Sequence, residues 1–175
     1  MRRPLPFAIF VAAGIALDLI SKELVFQRAG TGPVLLPGVL QITRAKNTGV
    51  AFSWLKDSPQ AVFAIAAVLI GVMLWIYARS WRTAPGMLIF ALGLLLIGAL
   101  GNLVDRLALG YVRDFIDFIP ELPLIGRWAV FNVADICITV GALTYLAAEL
   151  FLRPAEKPQS AAVPLQAQSV PDEKP

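Results

Sequence analysis

The sequence contains no histidine and a single cysteine, Cys137. Without histidine there can be no Ser-His-Asp triad, no imidazole-based zinc site and no imidazole proton shuttle. A single cysteine excludes an internal disulfide and any metal site built from several cysteines. Acid–base chemistry in this chain therefore depends on other side chains, with carboxylates as the first candidates.

Charged residues are also scarce. They make up 15% of the 175 residues, whereas hydrophobic residues make up 58% and the mean hydropathy is +0.72. A soluble domain carries about 25% charged residues, and a globule of this size could not hide so much apolar surface. The composition indicates an integral membrane protein. The net charge of +3 is too small and too scattered to suggest nucleic-acid binding.

Four segments are long and apolar enough to cross a bilayer, which takes about 20 residues per helix. They cover about 5–26, 59–78, 84–104 and 128–152, and the glycines of the third are interpreted as sites of close helix packing. The spans predict an all-α integral membrane domain over residues 1–153, followed by a disordered tail at 154–175 that is rich in proline and polar residues. The first span could instead be a cleaved signal peptide, but the ionisable residues that follow it fit a retained anchor better.

The connections between spans differ in kind. Residues 27–58 contain two stretches with strand character, at 39–43 and 50–54, separated by turn residues. They predict a small β-rich extracytoplasmic region between helices 1 and 2. Residues 105–127 are interpreted as a loop, with Asp117 as a solvated charge and the segment from Asp117 to Trp128 as a possible gate.

The orientation of the chain stays open on charge alone. An even number of spans places both termini on one side. That side carries seven of the 15 basic residues and the opposite side carries eight. The positive-inside rule, which counts only basic residues, does not separate the two orientations.

Ionisable and amide side chains gather near the ends of the spans, and with four spans all of them fall at one membrane face. Charged groups at this depth are costly and are functional candidates. Asp18 and Lys22 share a helix face at spacing i, i+4 and are expected to pair. The remaining candidates are Asn102, Asp105 and Arg106 at the end of the third span, Asp114 in the loop, and Asn132 and Asp135 near the start of the fourth.

Structural roles compete with functional ones for most of these residues. Asp18 and Lys22 could simply close a helix end, Asp105 and Arg106 could neutralise a helix terminus, and Asn132 could satisfy neighbouring polar groups. Asp135 is hardest to explain structurally, because the predicted span places it inside the membrane without a base at helical spacing.

Two aspartates that lie close together can hydrolyse a peptide bond, because they cannot easily both ionise and therefore share a proton. The ionised member activates water and the protonated member binds the scissile carbonyl. Other possibilities are a metal-dependent transferase or phosphatase, a small transporter, and a structural membrane protein. A Ser21–Lys22 mechanism is less attractive, since adjacent helix residues do not face each other.

The chain resembles the lipoprotein signal peptidases, the bacterial type II signal peptidases. The resemblance is carried in order by five stretches along about 150 residues: Asp18-Leu19-Ile20-Ser21-Lys22, Asn47-Thr48-Gly49-Val50-Ala51-Phe52-Ser53, Gly101-Asn102-Leu103-Val104-Asp105-Arg106, Val112-Arg113-Asp114-Phe115-Ile116-Asp117-Phe118 and Phe131-Asn132-Val133-Ala134-Asp135.

This resemblance implies a metal-independent aspartic endopeptidase that needs no cofactor. It would cut signal peptides from prolipoproteins just before the diacylglyceryl-modified cysteine, and the cyclic peptide globomycin would block it. It implies a multi-pass protein of the bacterial inner membrane, N-in and C-in, monomeric in the membrane lipid, with its site near the periplasmic face. By motif position Asp114 and Asp135 are the catalytic pair. The residues that bind substrate or support the site would be Asn47, Gly49, Asn102, Asp105, Arg106, Asn132, Asp18 and Lys22.

Two positions depart from the family pattern. Val50 stands where alanine is commoner, and Arg113 stands where a small apolar residue is commoner. We expect the guanidinium of Arg113 to favour the ionised form of its neighbour Asp114.

Overall fold

The computed structural model describes residues 4–28, 32–48, 59–123 and 126–152. Its four long helices are α1 (Pro4–Gln27), α2 (Pro59–Ser80), α3 (Gly86–Leu109) and α4 (Val133–Leu152). Its strands are β1 (Val34–Leu36), β2 (Leu40–Asn47), β3 (Val112–Phe118), β4 (Glu121–Leu122) and β5 (Gly126–Arg127). All four helices are long and apolar enough to cross a membrane, which confirms the predicted architecture. The stretch at 50–54 and the tail lie outside the described residues.

Helix α3 is the centre of the bundle, and its buried face is rich in small residues. A Cβ atom on Gly98 would collide with the backbone oxygen of Ala134 in α4, and one on Gly101 would lie 2.5 Å from Oδ2 of Asp18 in α1. Because lipid is as apolar as a leucine side chain, close backbone approach at small residues is what holds such helices together. The predicted role of these glycines in packing is confirmed.

The small sheet has the order β1-β2-β3. β1 and β2 form an antiparallel hairpin around the turn at Gly38, whose φ of 72° suits glycine. β2 pairs antiparallel with β3, and Ala45 lies opposite Asp114. The third strand therefore comes from the α3–α4 connection, a region interpreted above as a loop.

Two helix ends differ from the predicted ones. α3 continues to Leu109, where Gly110 ends it with a φ of 79° and an N–H bond to the carbonyl of Arg106. α4 begins at Val133 and not near 128, because Phe131 forms an antiparallel bridge with Ile116 of β3. Asp135, predicted near the start of the fourth span, therefore lies in the first turn of α4 and not two turns beyond the helix start.

The contact between α3 and α4 yields a stability prediction. We expect Gly98→Ala to destabilise the bundle by about 1–3 kcal/mol, because the new methyl group cannot be accommodated without moving α4. Thermal unfolding in detergent measures the effect. Gly71→Ala in α2 is the matched control, since a Cβ there meets nothing within 4 Å. Equal unfolding temperatures for the two variants would contradict the packing interpretation.

Candidate active site

The first turn of α4 is built by two side chains that cap each other. Oδ1 of Asn132 accepts a hydrogen bond from the backbone N–H of Asp135 at 3.0 Å. Oδ2 of Asp135 accepts one from the backbone N–H of Asn132 at 3.1 Å. This is a capping box with Asn and Asp in place of the usual residues. It fixes the Asp135 carboxylate at the positive end of the helix dipole, where a negative charge is stabilised.

Asp114 reaches the same place from β3. Its Oδ1 accepts a hydrogen bond from Nδ2 of Asn132 at 2.6 Å. Its Oδ2 accepts one from Nδ2 of Asn47, a diagonal neighbour on β2, at 2.9 Å. Asp114 is only 2% exposed. Asn132 thus contacts both carboxylates, that of Asp114 through its side-chain nitrogen and that of Asp135 through its backbone N–H.

Asn102 of α3 completes the connection between the aspartates. Its Nδ2 donates to Oδ1 of Asp135 at 2.8 Å, while its Oδ1 accepts from Nδ2 of Asn132 at 3.2 Å. Asp114, Asn132, Asn102 and Asp135 therefore form one hydrogen-bonded chain contributed by β3, α3 and the start of α4. Sequence spacing alone could not indicate these contacts, because the partners lie up to 33 positions apart.

A buried ion cluster lies next to these four hydrogen-bonded residues and contacts them through Asn102. The ammonium group of Lys22 is 2.7 Å from Oδ2 of Asp18 and 3.6 Å from Oδ2 of Asp105, and none of the three side chains is more than 1% exposed. Lys22 also donates to Oδ1 of Asn102 at 3.0 Å, and Asp18 accepts from the backbone N–H of Ala134 at 2.9 Å. The predicted Asp18–Lys22 pair is present, but it joins three helices and does not merely close one helix end.

Arg113 does not act on Asp114 as expected. Adjacent residues of a strand point to opposite faces, and the Arg113 guanidinium binds Oδ1 of Asp105 at 2.8 Å and Oδ2 of Glu23 at 2.6 Å. Its backbone N–H also donates to Asp105 at 2.9 Å. Asp105 is therefore neutralised by Arg113 and Lys22. Arg106 donates to the carbonyl of Asn102 and interacts electrostatically with Asp135, Asp114 and Asp105.

The surroundings of Asp114 favour its protonated form. Burial and, to a smaller extent, the negative charge of Asp135 raise the pKa of Asp114 to about 6, although the hydrogen bonds from Asn47 and Asn132 lower it. A carboxyl group with this pKa holds its proton at a higher pH than an ordinary aspartate does. A carboxyl group of this kind beside a second carboxylate is an arrangement that acid–base hydrolysis can use.

Asp117 is not the solvated charge that the sequence suggested. It is 1% exposed and accepts hydrogen bonds from Gln41 at 2.8 Å, Thr43 at 2.9 Å and Arg127 at 2.8 Å. These donors, with Gln41 foremost, hold the pKa of Asp117 below its ordinary value. Asp117 ties the β4–β5 hairpin, through Arg127, to the sheet. The signal that could have identified it is its place in a β-branched and aromatic strand.

An apolar groove of about 430 Å³ opens beside Asp135. Ile136, Thr139 and Val140 lie on successive turns of α4, so they continue from Asp135 along one face of the helix. The other walls are Phe118, Leu122, Trp128 and Phe131. Asp135 is the one charged residue among those that line this groove. Of the residues expected at the site, Gly49 lies outside the described part of the chain, as does Val50.

The contacts of Arg113 yield a prediction. We expect Arg113→Met to destabilise the protein by about 3 kcal/mol, because it removes the guanidinium that lies 2.8 Å from the buried Asp105 carboxylate. Glu23→Gln is the matched control, since it removes the other partner of the same guanidinium. Glu23 is 54% exposed, so its pair with Arg113 is expected to contribute less than about 1 kcal/mol. Thermal unfolding of the two variants side by side tests the assignment, and an equal loss would contradict it.

Sequence comparison identifies the family. Residues 10–151 match the family model of signal peptidase (SPase) II. A lipoprotein signal peptidase of Dehalococcoides mccartyi (strain CBDB1) is 38% identical over 154 residues, which cover 83% of this chain and 89% of that protein. The lipoprotein signal peptidase of Rhizorhabdus wittichii is 36% identical over 174 residues, covering 90% of this chain and 92% of that protein.

Structural comparison agrees with this result. A bacterial membrane enzyme solved by the in meso method at 1.9 Å resolution superposes with a TM-score of 0.72 at 26% identity, covering 83% of this chain and 93% of that one. A second such structure, at 2.3 Å, has a TM-score of 0.74 at 24% identity, covers 87% of this chain and 93% of that one, and shares the fold. With four membrane-spanning helices, a matching fold and the family model covering most of its length, the chain belongs to the signal peptidase II family.

Proposed function

We propose that this chain is a membrane protease that removes signal peptides from lipoproteins, with Asp114 and Asp135 as its catalytic pair. Membership of the signal peptidase II family supports the activity. The observation that carries the residue assignment is the hydrogen-bonded chain of two amides that joins Asp114 and Asp135. These hydrogen bonds hold two carboxylates from different elements at one edge of the membrane domain, beside an apolar groove.

The two aspartates have different roles in the proposed mechanism. Asp135 is the ionised member, because the N-terminus of α4 and the donors from Asn102 and Asn132 stabilise its negative charge. Asp114, whose pKa is raised to about 6, holds the shared proton and donates it as a hydrogen bond to the scissile carbonyl. Asp135 takes a proton from a water molecule, which then attacks the carbonyl carbon. The mechanism is that of an aspartic endopeptidase and uses no metal.

The groove beside Asp135 suits a substrate that stays partly in lipid. Its walls are apolar and follow α4, so a signal peptide or its attached acyl chains can lie there while the peptide bond reaches the aspartates. Exclusion of water by such a substrate raises the pKa of Asp114 further and strengthens proton sharing. We place the cleaved bond just before the diacylglyceryl-modified cysteine, as the family resemblance implies.

The family resemblance also suggests how the protein lies in the cell. The proposed orientation has both termini in the cytoplasm and the aspartates near the periplasmic face of the bacterial inner membrane. The β4–β5 hairpin, fastened by Arg127 to Asp117, is the proposed gate. Inhibition by globomycin and a monomeric state belong to the same proposal.

The catalytic assignment predicts the outcome of two isosteric substitutions. We expect Asp114→Asn and Asp135→Asn each to lower the cleavage rate of a diacylglyceryl-modified prolipoprotein by at least about 1,000-fold, since neither amide can exchange the required proton. Glu149→Gln is the matched control. Glu149 lies on the same helix as Asp135, 14 positions and about 20 Å further along, and its loss should leave the rate unchanged.

A parallel reaction in EDTA tests metal independence, which predicts no change in rate. Thermal unfolding of each variant shows whether it is folded. If either folded Asp→Asn variant kept a near-normal rate, the catalytic pair would be misassigned. If EDTA stopped the reaction and added metal restored it, a metal-dependent mechanism would replace the proposed one.

The hydrogen bond from Asn47 predicts a change in the pH profile. That bond stabilises the ionised form of Asp114 and so lowers its pKa. Its removal in Asn47→Ala disfavours both deprotonation steps of the coupled pair, so both limbs of the kcat/KM profile should move to higher pH by about one unit. Gln41→Ala is the matched control. Gln41 lies on β2, as Asn47 does, but its side chain donates to Asp117, so its removal should leave the pH profile unchanged. A shift to lower pH in Asn47→Ala is incompatible with the proposed proton sharing.

A further inference from the structure

A second pocket lies at the same end of the membrane domain, away from the groove beside Asp135. It has a volume of about 470 Å³ and lies between the ends of α1 and α3 and the strands β2 and β3. Three of the six residues that line it are cations, Arg44, Lys46 and Arg113, and none of the six is an acid. The other three are Phe26, Leu109 and Tyr111.

The three cations of this pocket differ in their contacts with the protein. Arg113 is neutralised by Asp105 and Glu23, and Arg44 donates to the backbone carbonyl of Arg28 at 2.7 Å. The ammonium group of Lys46 lies 4.9 Å from the centre of the Tyr111 ring. Among the described residues, no carboxylate lies within ion-pair distance of Lys46. A cation that lies over an aromatic ring, in a pocket with no acid among its described lining residues, is well placed to bind an anion.

The position of the pocket indicates what kind of anion this is. Phe26 lies one residue before the end of α1, and Leu109 is the last residue of α3. Two apolar spans thus end at this level, which is where lipid headgroups lie. Tyrosine is typical of this interfacial layer, and each basic residue near an anionic lipid surface contributes about 1 kcal/mol to its binding. The basic residues at this end also explain why the positive-inside count left the orientation open.

We propose that this pocket binds the phosphate-bearing headgroup of an anionic phospholipid. Lys46 contacts the phosphate, while Phe26 and Leu109 border the start of the acyl chains. The volume is adequate for a glycerophosphate headgroup. The lipid would hold β2, and with it Asn47, at a fixed height above the membrane. The proposal does not depend on the peptidase mechanism, and its test needs no activity.

Native mass spectrometry of the purified full chain, titrated with phosphatidylglycerol or phosphatidylcholine, tests the proposal. We expect the first phosphatidylglycerol to bind at least about fivefold more tightly than phosphatidylcholine. Lys46→Gln should weaken the binding of phosphatidylglycerol about fivefold, because the variant loses the contribution of one basic residue. Lys46→Arg should retain it. Arg82→Gln is the matched control, because Arg82 also lies over an aromatic ring, that of Trp81, but between α2 and α3 at the opposite end.

Each contrary result would overturn the proposal in a recognisable way. Equal affinity for the two lipids would mean that the pocket does not distinguish anionic from zwitterionic headgroups. An unchanged affinity for phosphatidylglycerol in Lys46→Gln would mean that the lipid binds elsewhere. An equal loss in Arg82→Gln would indicate diffuse attraction to the basic surface. Displacement of the lipid by millimolar inorganic phosphate would make the pocket a site for free anions. Thermal unfolding of each variant confirms that the compared proteins are folded.

Discussion

The ammonium group of Lys22 is a full positive charge buried between helices, and the polar end of the domain is arranged around it. Transfer of such a charge out of water costs several kcal/mol, and only well-placed opposite charges and hydrogen bonds offset this cost. Asp18, Asp105 and Asn102 provide them at 2.7, 3.6 and 3.0 Å. The requirement fixes α1 against α3, and Gly101 allows the approach by leaving room for the Asp18 carboxylate.

Lys22 also determines which way the active-site amides point. An ammonium group can only donate hydrogen bonds, so Asn102 must turn its oxygen towards Lys22 and its nitrogen towards Asp135. The oxygen of Asn102 then also accepts from Asn132, whose nitrogen binds Asp114 as well. The orientation of each amide follows from the one before it. A charge that never contacts the substrate thereby positions the groups proposed to do so.

How far the sequence predicts this structure depends on the range of the interactions involved. The four spans follow from composition and length, and the Asp18–Lys22 pair follows from helical spacing, so both are recovered. The start of α4 is misplaced because Phe131 pairs with Ile116, a contact between segments with no local signal. Arg113 and Asp117 are misassigned for the same reason. Once residues 112–118 form a strand, their side chains alternate between two faces, which separates Arg113 from Asp114 and buries Asp117. The grouping of the polar residues at one end was predictable, but the amide chain that orders them was not.

The proposed aspartates must be held firmly and yet remain able to react. Each oxygen of Asp114 and of Asp135 accepts at least one hydrogen bond from the described part of the protein. A carboxylate has about four acceptor positions, so these four bonds alone do not saturate the two groups for a shared proton, a water molecule or the scissile carbonyl. Donors from α3, α4 and β2 thus fix the direction of each carboxylate without saturating it. Those donors are amides and backbone N–H groups, so they orient the pair without adding a positive charge of their own, and a proton can pass between the two roles within one turnover.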